Sequence, residues 1–326
     1  MTDKIERIEM DKKDLYESCY LAKNIEVGDV MPMTGSSLYN KDGYPLSQPD
    51  VCELDSSAQG LLDTLKKIYA SINTDNYRKQ YQEFFSKNNI NIPVDVFMAC
   101  TAVLIGRRKH FANLFADEER AESRGSKYIS REHRSLKDVL DDREMMCGEY
   151  AAITQMFFQD IGIDSEIFMG QRLASDKNGK PNNDAEAHTF LIVRDKDHRY
   201  VFDQMLDRQI GKGVYPVIRD VPLSDKQWER FISEVRPQDD GGNPGVFPAT
   251  DVFNKHVQYY GVGGTWRSQL SEKNIWNGSE NKKAEGLQER LSKCSEDGKN
   301  MAQEDTSKGT LSLGQQAVLN ARKPQH

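Results

Sequence analysis

Three residues in this chain have the types, order and local settings that nucleophilic thiol chemistry requires. They are Cys147 in Met-Met-Cys-Gly-Glu-Tyr-Ala-Ala, His188 in His-Thr-Phe-Leu-Ile-Val and Asp203 in Tyr-Val-Phe-Asp-Gln-Met. Gly148, Tyr150, Ala151, Ile153, Phe157 and Ile161 mark a helix with one apolar face, stopped at Gly162, so the spacing predicts Cys147 at the helix amino terminus. There the unsatisfied N–H groups and the positive end of the helix dipole favour a thiolate, the nucleophilic form of the side chain. The same amides can stabilise the oxyanion that forms when sulfur attacks a carbonyl. Gly148, Glu149 and Gln204, which flank the nucleophile and the acid, are expected at the rim where substrate meets the sulfur.

Strand periodicity supplies the second half of the argument. Residues 188–194 and 199–205 are apolar, strand-like runs on either side of Asp195-Lys196-Asp197-His198, whose polarity suits a hairpin turn. Symmetric pairing about four turn residues sets Arg194 opposite Arg199, and therefore His188 opposite Met205. Asp203 lies two residues from Met205 on the same strand and so shares a face with His188. Such diagonal neighbours sit roughly 7–8 Å apart, within side-chain reach. Asp203 can then orient the imidazole through one ring nitrogen while the other faces the sulfur. A turn one residue longer or shorter would put them on opposite faces.

Four segments follow from the patterning around these residues. Residues 1–55, punctuated by Pro32, Gly35, Gly43, Pro45 and Pro49, form a polar, loop-rich arm. Residues 56–134 form a helical subdomain: Leu61, Leu62, Leu65, Ile68 and Ile72 fall at helical spacing, Tyr77, Tyr81, Phe84 and Phe85 repeat it, and a third helix follows Pro93. The candidate catalytic core is 135–266, with Gln171 to Ala187 as a polar rim or lid. It also holds a strand at Val214 to Ile218 and a helix from Trp228 to Val235. Residues 267–326 are a polar, flexible tail.

Bulk composition narrows the functional classes. A formal charge of −7, from 44 basic and 51 acidic residues, argues against a nucleic-acid binder, which needs a concentrated basic surface. Five scattered cysteines without a Cys-x-x-Cys pair suggest neither a disulfide framework nor a metal site, and no cofactor is expected. The longest apolar run, Val96 to Gly106, is about half the ~20 residues a membrane-spanning helix needs. The charged opening Met-Thr-Asp-Lys-Ile-Glu-Arg lacks the apolar segment of a secretory signal. The expected location is cytoplasmic, or a host cell reached by a Sec-independent route.

In this order, Cys147, Tyr150-Ala151, Gly162-Ile163, His188 and Asp203, the chain resembles the transglutaminase-like superfamily of cysteine enzymes over about Leu136 to Met205. That resemblance implies an α+β, papain-like core, with the cysteine-bearing helix packed on an antiparallel sheet; the helical subdomain read from the patterning precedes it. It implies acyl transfer through a thioester on amides of a protein or peptide substrate, as in deamidases, transglutaminases and peptidases. Several bacterial effectors that modify host proteins resemble the same superfamily, which makes a host protein a possible target. Arylamine N-acetyltransferases share the triad order, but Arg143-Glu144-Met145-Met146 precedes the cysteine here in place of their Arg-Gly-Gly type sequence. A catalytically silent binding module of the same fold is the other alternative. The family's tryptophan or glutamine at the oxyanion has no clear equivalent, so the second oxyanion donor is unassigned.

Overall fold

Helix α1 (Ser57–Ile72) begins where Asp55 accepts a hydrogen bond from the Ser57 N–H at 2.8 Å, and buries Leu61, Leu62, Leu65, Ile68 and Ile72 along one stripe. The other oxygen of Asp55 accepts from the Lys137 N–H at 3.0 Å, so one carboxylate ties the start of α1 to the start of α4 (Leu136–Asp141). Helix α2 (Asp75–Lys87) contributes Tyr81, Phe84 and Phe85, with Tyr81 and Phe85 packed at 4.7 and 5.3 Å between ring centroids on Phe97 of α3 (Val94–Ile105). Every residue of α3 except Asp95 is buried. It is the central helix, apolar all round because other elements surround it.

The computed structural model describes residues 17–32, 51–121 apart from 88 and 118, 134–221 apart from 176–180, 197 and 211–212, then 224–226, 228, 236–237 and 257–262. Its main sheet has seven antiparallel strands in the order β8-β7-β6-β5-β1-β10-β9. In chain order these are β1 (Glu17–Ala22), β5 (Ser165–Ser175), β6 (Pro181–Asp195), β7 (His198–Ile210), β8 (Gly213–Asp220), β9 (Arg236–Pro237) and β10 (Val257–Val262). Short strands β2 (Val30–Pro32), β3 (Val51–Glu53) and β4 (Arg134–Ser135) form a second sheet. Helix α5 (Cys147–Asp160) lies on the main sheet, where Phe158 stacks on Phe202 of β7 at 5.9 Å. The protein is thus a mixed α and β structure in which helices cover an antiparallel sheet. Among the described residues no helix is long and apolar enough to cross a membrane.

The structure departs from the sequence reading in four places. The expected loop-rich arm supplies β1, β2 and β3, and β1 is an interior strand paired on both sides, by β5 and β10. Its partners are remote in sequence, so no local hairpin signal announces it. The expected helical subdomain shares one hydrophobic core with α5 and the sheet, running from Leu65, Phe97 and Val103 through Ile153 and Phe157 to Leu191 and Phe202. Among the described residues the core is continuous across the 134/135 boundary. The polar Gln171 to Ala187 segment, expected as a rim or lid, continues the β5–β6 ladder through Gln171↔Ala187, Arg172↔Glu186 and Leu173↔Ala185. Backbone pairing needs no apolar alternation, so polar composition there imitates a loop. The β6–β7 turn is shorter than expected: Asp195 also pairs with His198, and Lys196 takes a φ of 51°. The shorter turn keeps the same register, with Arg194 opposite Arg199. The expected tail from 267, and all of the Trp228 to Val235 helix but Trp228, lie outside the described residues.

Candidate active site

The position of Cys147 is prepared upstream. Arg134, 7% exposed, ion-pairs with the buried Glu144 and, at 2.6 Å, with Asp142, and this staples the turn that follows α4. Arg143 takes a φ of 58° in that turn, a left-handed conformation that lets the chain reverse. Met145 is then held against residues 114–116: its N–H donates to the Leu114 carbonyl and its carbonyl accepts from the Ala116 N–H, both at 3.1 Å. Met146 is extended, and its N–H donates to the Glu149 carboxylate at 2.9 Å, which is half of a capping box. Cys147 is therefore the first residue of α5, as its sequence setting predicts. One turn on, the Tyr150 hydroxyl donates to the Val103 carbonyl at 2.5 Å and pins the helix to α3; burial pushes that phenol's pKa up.

The imidazole and the carboxylate come from adjacent strands. The β6–β7 ladder runs from Asp195↔His198 to Leu191↔Phe202 and stops there. One residue further along β7 is Asp203, and three further along β6 is His188. The imidazole Nε2 lies 2.7 Å from Asp203 Oδ2 and donates to it, while Asp203 Oδ1 accepts from the Met205 N–H at 3.0 Å. The carboxylate is thus held at both oxygens. The Cys147 side chain is near enough to His188 to help raise the imidazole pKa. Since Nε2 is engaged by Asp203, Nδ1 is the nitrogen left for the sulfur. His188 and Asp203 are 6% and 5% exposed, whereas Cys147 is partly exposed, so an incoming molecule reaches the thiol before the imidazole or the carboxylate.

Beyond Asp203 the strand is irregular. Pairing with β8 jumps from Asp203↔Val217 to Asp207↔Pro216, which leaves Gln204, Met205 and Leu206 bulged out of the ladder. Asp207 closes the bulge by ion pairs with Arg107 and, at 3.2 Å, with Arg108, both on the π-helical turn Gly106–His110 that ends α3. In the sequence, Arg107-Arg108-Lys109 does no more than end the Val96 to Gly106 apolar run. The bracing role depends on a strand one hundred residues away in sequence, which no local signal carries.

Burial pushes the His188 pKa down, but the Asp203 carboxylate and the Cys147 side chain more than offset it, and the imidazole is pushed up to about 9. Between its ordinary 6.5 and about 9 the folded protein holds a proton that the unfolded chain has released. This contribution to stability is complete below 6.5 and is lost as pH rises through 9. Thermal unfolding midpoints measured across that window are expected to fall with pH, and to fall less in a His188→Asn variant. An equal slope in the variant would remove His188 as the cause.

The three residues expected at the rim are elsewhere. Gly148 and Glu149 are buried, Glu149 fully so as the acceptor that caps α5, and Gln204 is 1% exposed. The Gln204 Nε2 donates to the carbonyls of Cys147 and Thr189. Glu149 and Gln204 instead hydrogen-bond backbone groups next to Cys147 and His188. Met at the position before the helix is an uncommon cap, which hid the capping role of Glu149. Cys100 is fully buried in α3 and burial pushes its thiol well up, while His198 begins β7 beside Asn91, so neither enters the site. A cleft of about 540 Å³, lined by Ile163, Arg194, Lys196 and Arg199 among others, opens at the opposite end of α5, away from Cys147. Comparison of the chain with protein-family models, with curated proteins and with solved structures finds no match.

Proposed function

We propose that the protein is a cysteine-dependent acyl-transfer enzyme of the transglutaminase-like, papain-fold type, acting on amide bonds of a protein or peptide substrate. One observation carries the reading: a partly exposed thiol at a helix amino terminus lies beside a buried imidazole whose Nε2 is held at 2.7 Å by a buried carboxylate. The Cys147 sulfur attacks the amide carbonyl to form a tetrahedral oxyanion, which the first-turn N–H groups of α5 are placed to receive. The oxyanion collapses, the C–N bond breaks, and the His188 imidazolium gives its Nδ1 proton to the departing amine. Water or an amine then attacks the thioester, His188 takes the proton of that nucleophile, and the sulfur leaves. Water as the acceptor gives hydrolysis or deamidation; an amine gives crosslinking. Asp203 keeps its charge and holds the ring throughout.

Alkylation by iodoacetamide at neutral pH, followed by mass spectrometry, tests this reading without a known substrate. Cys147 is expected to label fastest of the described thiols, and His188→Ala should slow it by roughly tenfold or more. Cys52 and Cys100, both buried, serve as unreactive references in the same sample. A Cys147 labelling rate that His188→Ala leaves unchanged would sink the proposal.

A further inference from the structure

Resting on that proposed function, we infer that Gln204 is a positioning residue: its side-chain amide sets the separation between the cysteine helix and the histidine strand. The nucleophile and the base belong to different elements, and the β6–β7 ladder has already ended at Leu191↔Phe202 before His188 is reached. Gln204 spans the gap. Its Nε2 donates to the carbonyl of Cys147 itself at 3.0 Å and to that of Thr189, the neighbour of His188, at 2.9 Å. Both amide hydrogens are thereby used, one on each half of the triad. The two carbonyl acceptors also fix which way the amide points, because a flipped group would set its oxygen against two oxygens.

The bulge makes this placement possible. Gln204 is the first of the three residues that leave the β7–β8 register, directly after Asp203. One local distortion therefore presents the orienting carboxylate and the bridging amide side by side. The amide is also retained at a cost to the fold. Gln204 is 1% exposed, and its Oε1 is buried with no hydrogen-bond partner among the described residues. An apolar side chain of the same length would remove that unsatisfied acceptor. A group kept in place despite such a penalty is understood through the geometry it enforces.

Gln204→Met in the full chain separates geometry from stability. Methionine matches the length and volume of glutamine and donates no hydrogen bond. The expected result is a roughly tenfold slower alkylation of Cys147 by iodoacetamide at neutral pH. The unfolding temperature is expected to change less than in Val193→Ala, a truncation in the shared hydrophobic core whose alkylation rate stays at the wild-type value. If Gln204→Met fails to fold, Gln204→Leu supplies the same readout, because it removes both donors without burying a charge. A wild-type rate in Gln204→Met, or an equal slowing in Val193→Ala, overturns the positioning role while leaving the thiol chemistry in place. A Cys147 labelling rate in the wild-type protein that is insensitive to His188→Ala overturns the proposed function and this inference together.

Discussion

With Cys147 replaced by alanine, the protein is expected to lose acyl transfer outright. p-Nitrophenyl acetate, a reactive acyl donor that needs no specific recognition, should acetylate wild-type protein at Cys147 with a burst of nitrophenol and leave Cys147→Ala unmodified at that position. Turnover of peptide amides should fall by roughly 10⁴-fold or more, the scale on which removing a covalent nucleophile acts. No other described thiol can substitute, since Cys52 and Cys100 are buried in the core. The fold should survive, because Cys147 is partly exposed and α5 is fixed by Glu149, Tyr150 and the buried face of the helix. A Cys147→Ala protein that still forms the acyl adduct and turns peptides over would mean that the sulfur is not the nucleophile. A wild-type protein that never acylates would shift attention to the silent binding module.

Asp203→Asn carries the second largest expected effect, a loss of roughly 10³–10⁴-fold in the acylation rate, together with loss of the stability that the His188–Asp203 pair contributes below the raised imidazole pKa. Asparagine keeps the volume, and its carbonyl oxygen can still accept from the Met205 N–H, as Asp203 Oδ1 does at 3.0 Å. What changes is the partner of His188. An amide NH₂ set 2.7 Å from Nε2 requires that nitrogen to accept, which moves the ring proton to Nδ1, the nitrogen that must take the thiol proton. The Asp203 charge that raises the imidazole pKa disappears as well, so NMR titration of His188 should show its midpoint displaced downward. An unaltered rate and titration would mean that the carboxylate only fills space.

What the sequence discloses about this site is what short-range periodicity can encode. The hairpin register is legible because continuous apolar runs flank Asp195-Lys196-Asp197-His198 on both sides, and pairing is symmetric whether the turn is counted as four residues or two. Cys147 at the start of α5 is legible from the apolar spacing behind it and from Gly162, which takes a φ of 78° just past the helix end. Gln204 is a different case. Alternation alone assigns it the face opposite Asp203, and only the bulge, whose cause lies in the pairing of β7 with β8 and in Asp207 meeting Arg107, explains why it faces Cys147 and Thr189. Glu149 carries a charge and reads as exposed until the extended Met146 N–H beside it is known to need an acceptor. Strand β1 is illegible for the same reason as the bulge: its burial is decided by strands that no local window contains.

That interior placement of β1 has a consequence for the order of events during synthesis. A strand near the amino terminus whose two neighbours are β5 and β10 emerges from the ribosome long before either, and must wait, unpaired, for both. The hairpin of β6 and β7, the turn before α5 and the bulge can form from contiguous chain, so the triad's surroundings can assemble while the sheet is still open along β5. Completion depends on a late, high-contact-order closure, which is the slow class of step in a growing polypeptide. Until β1 slots in, β5 presents a bare strand edge, and the nascent protein is most open to mispairing at that seam.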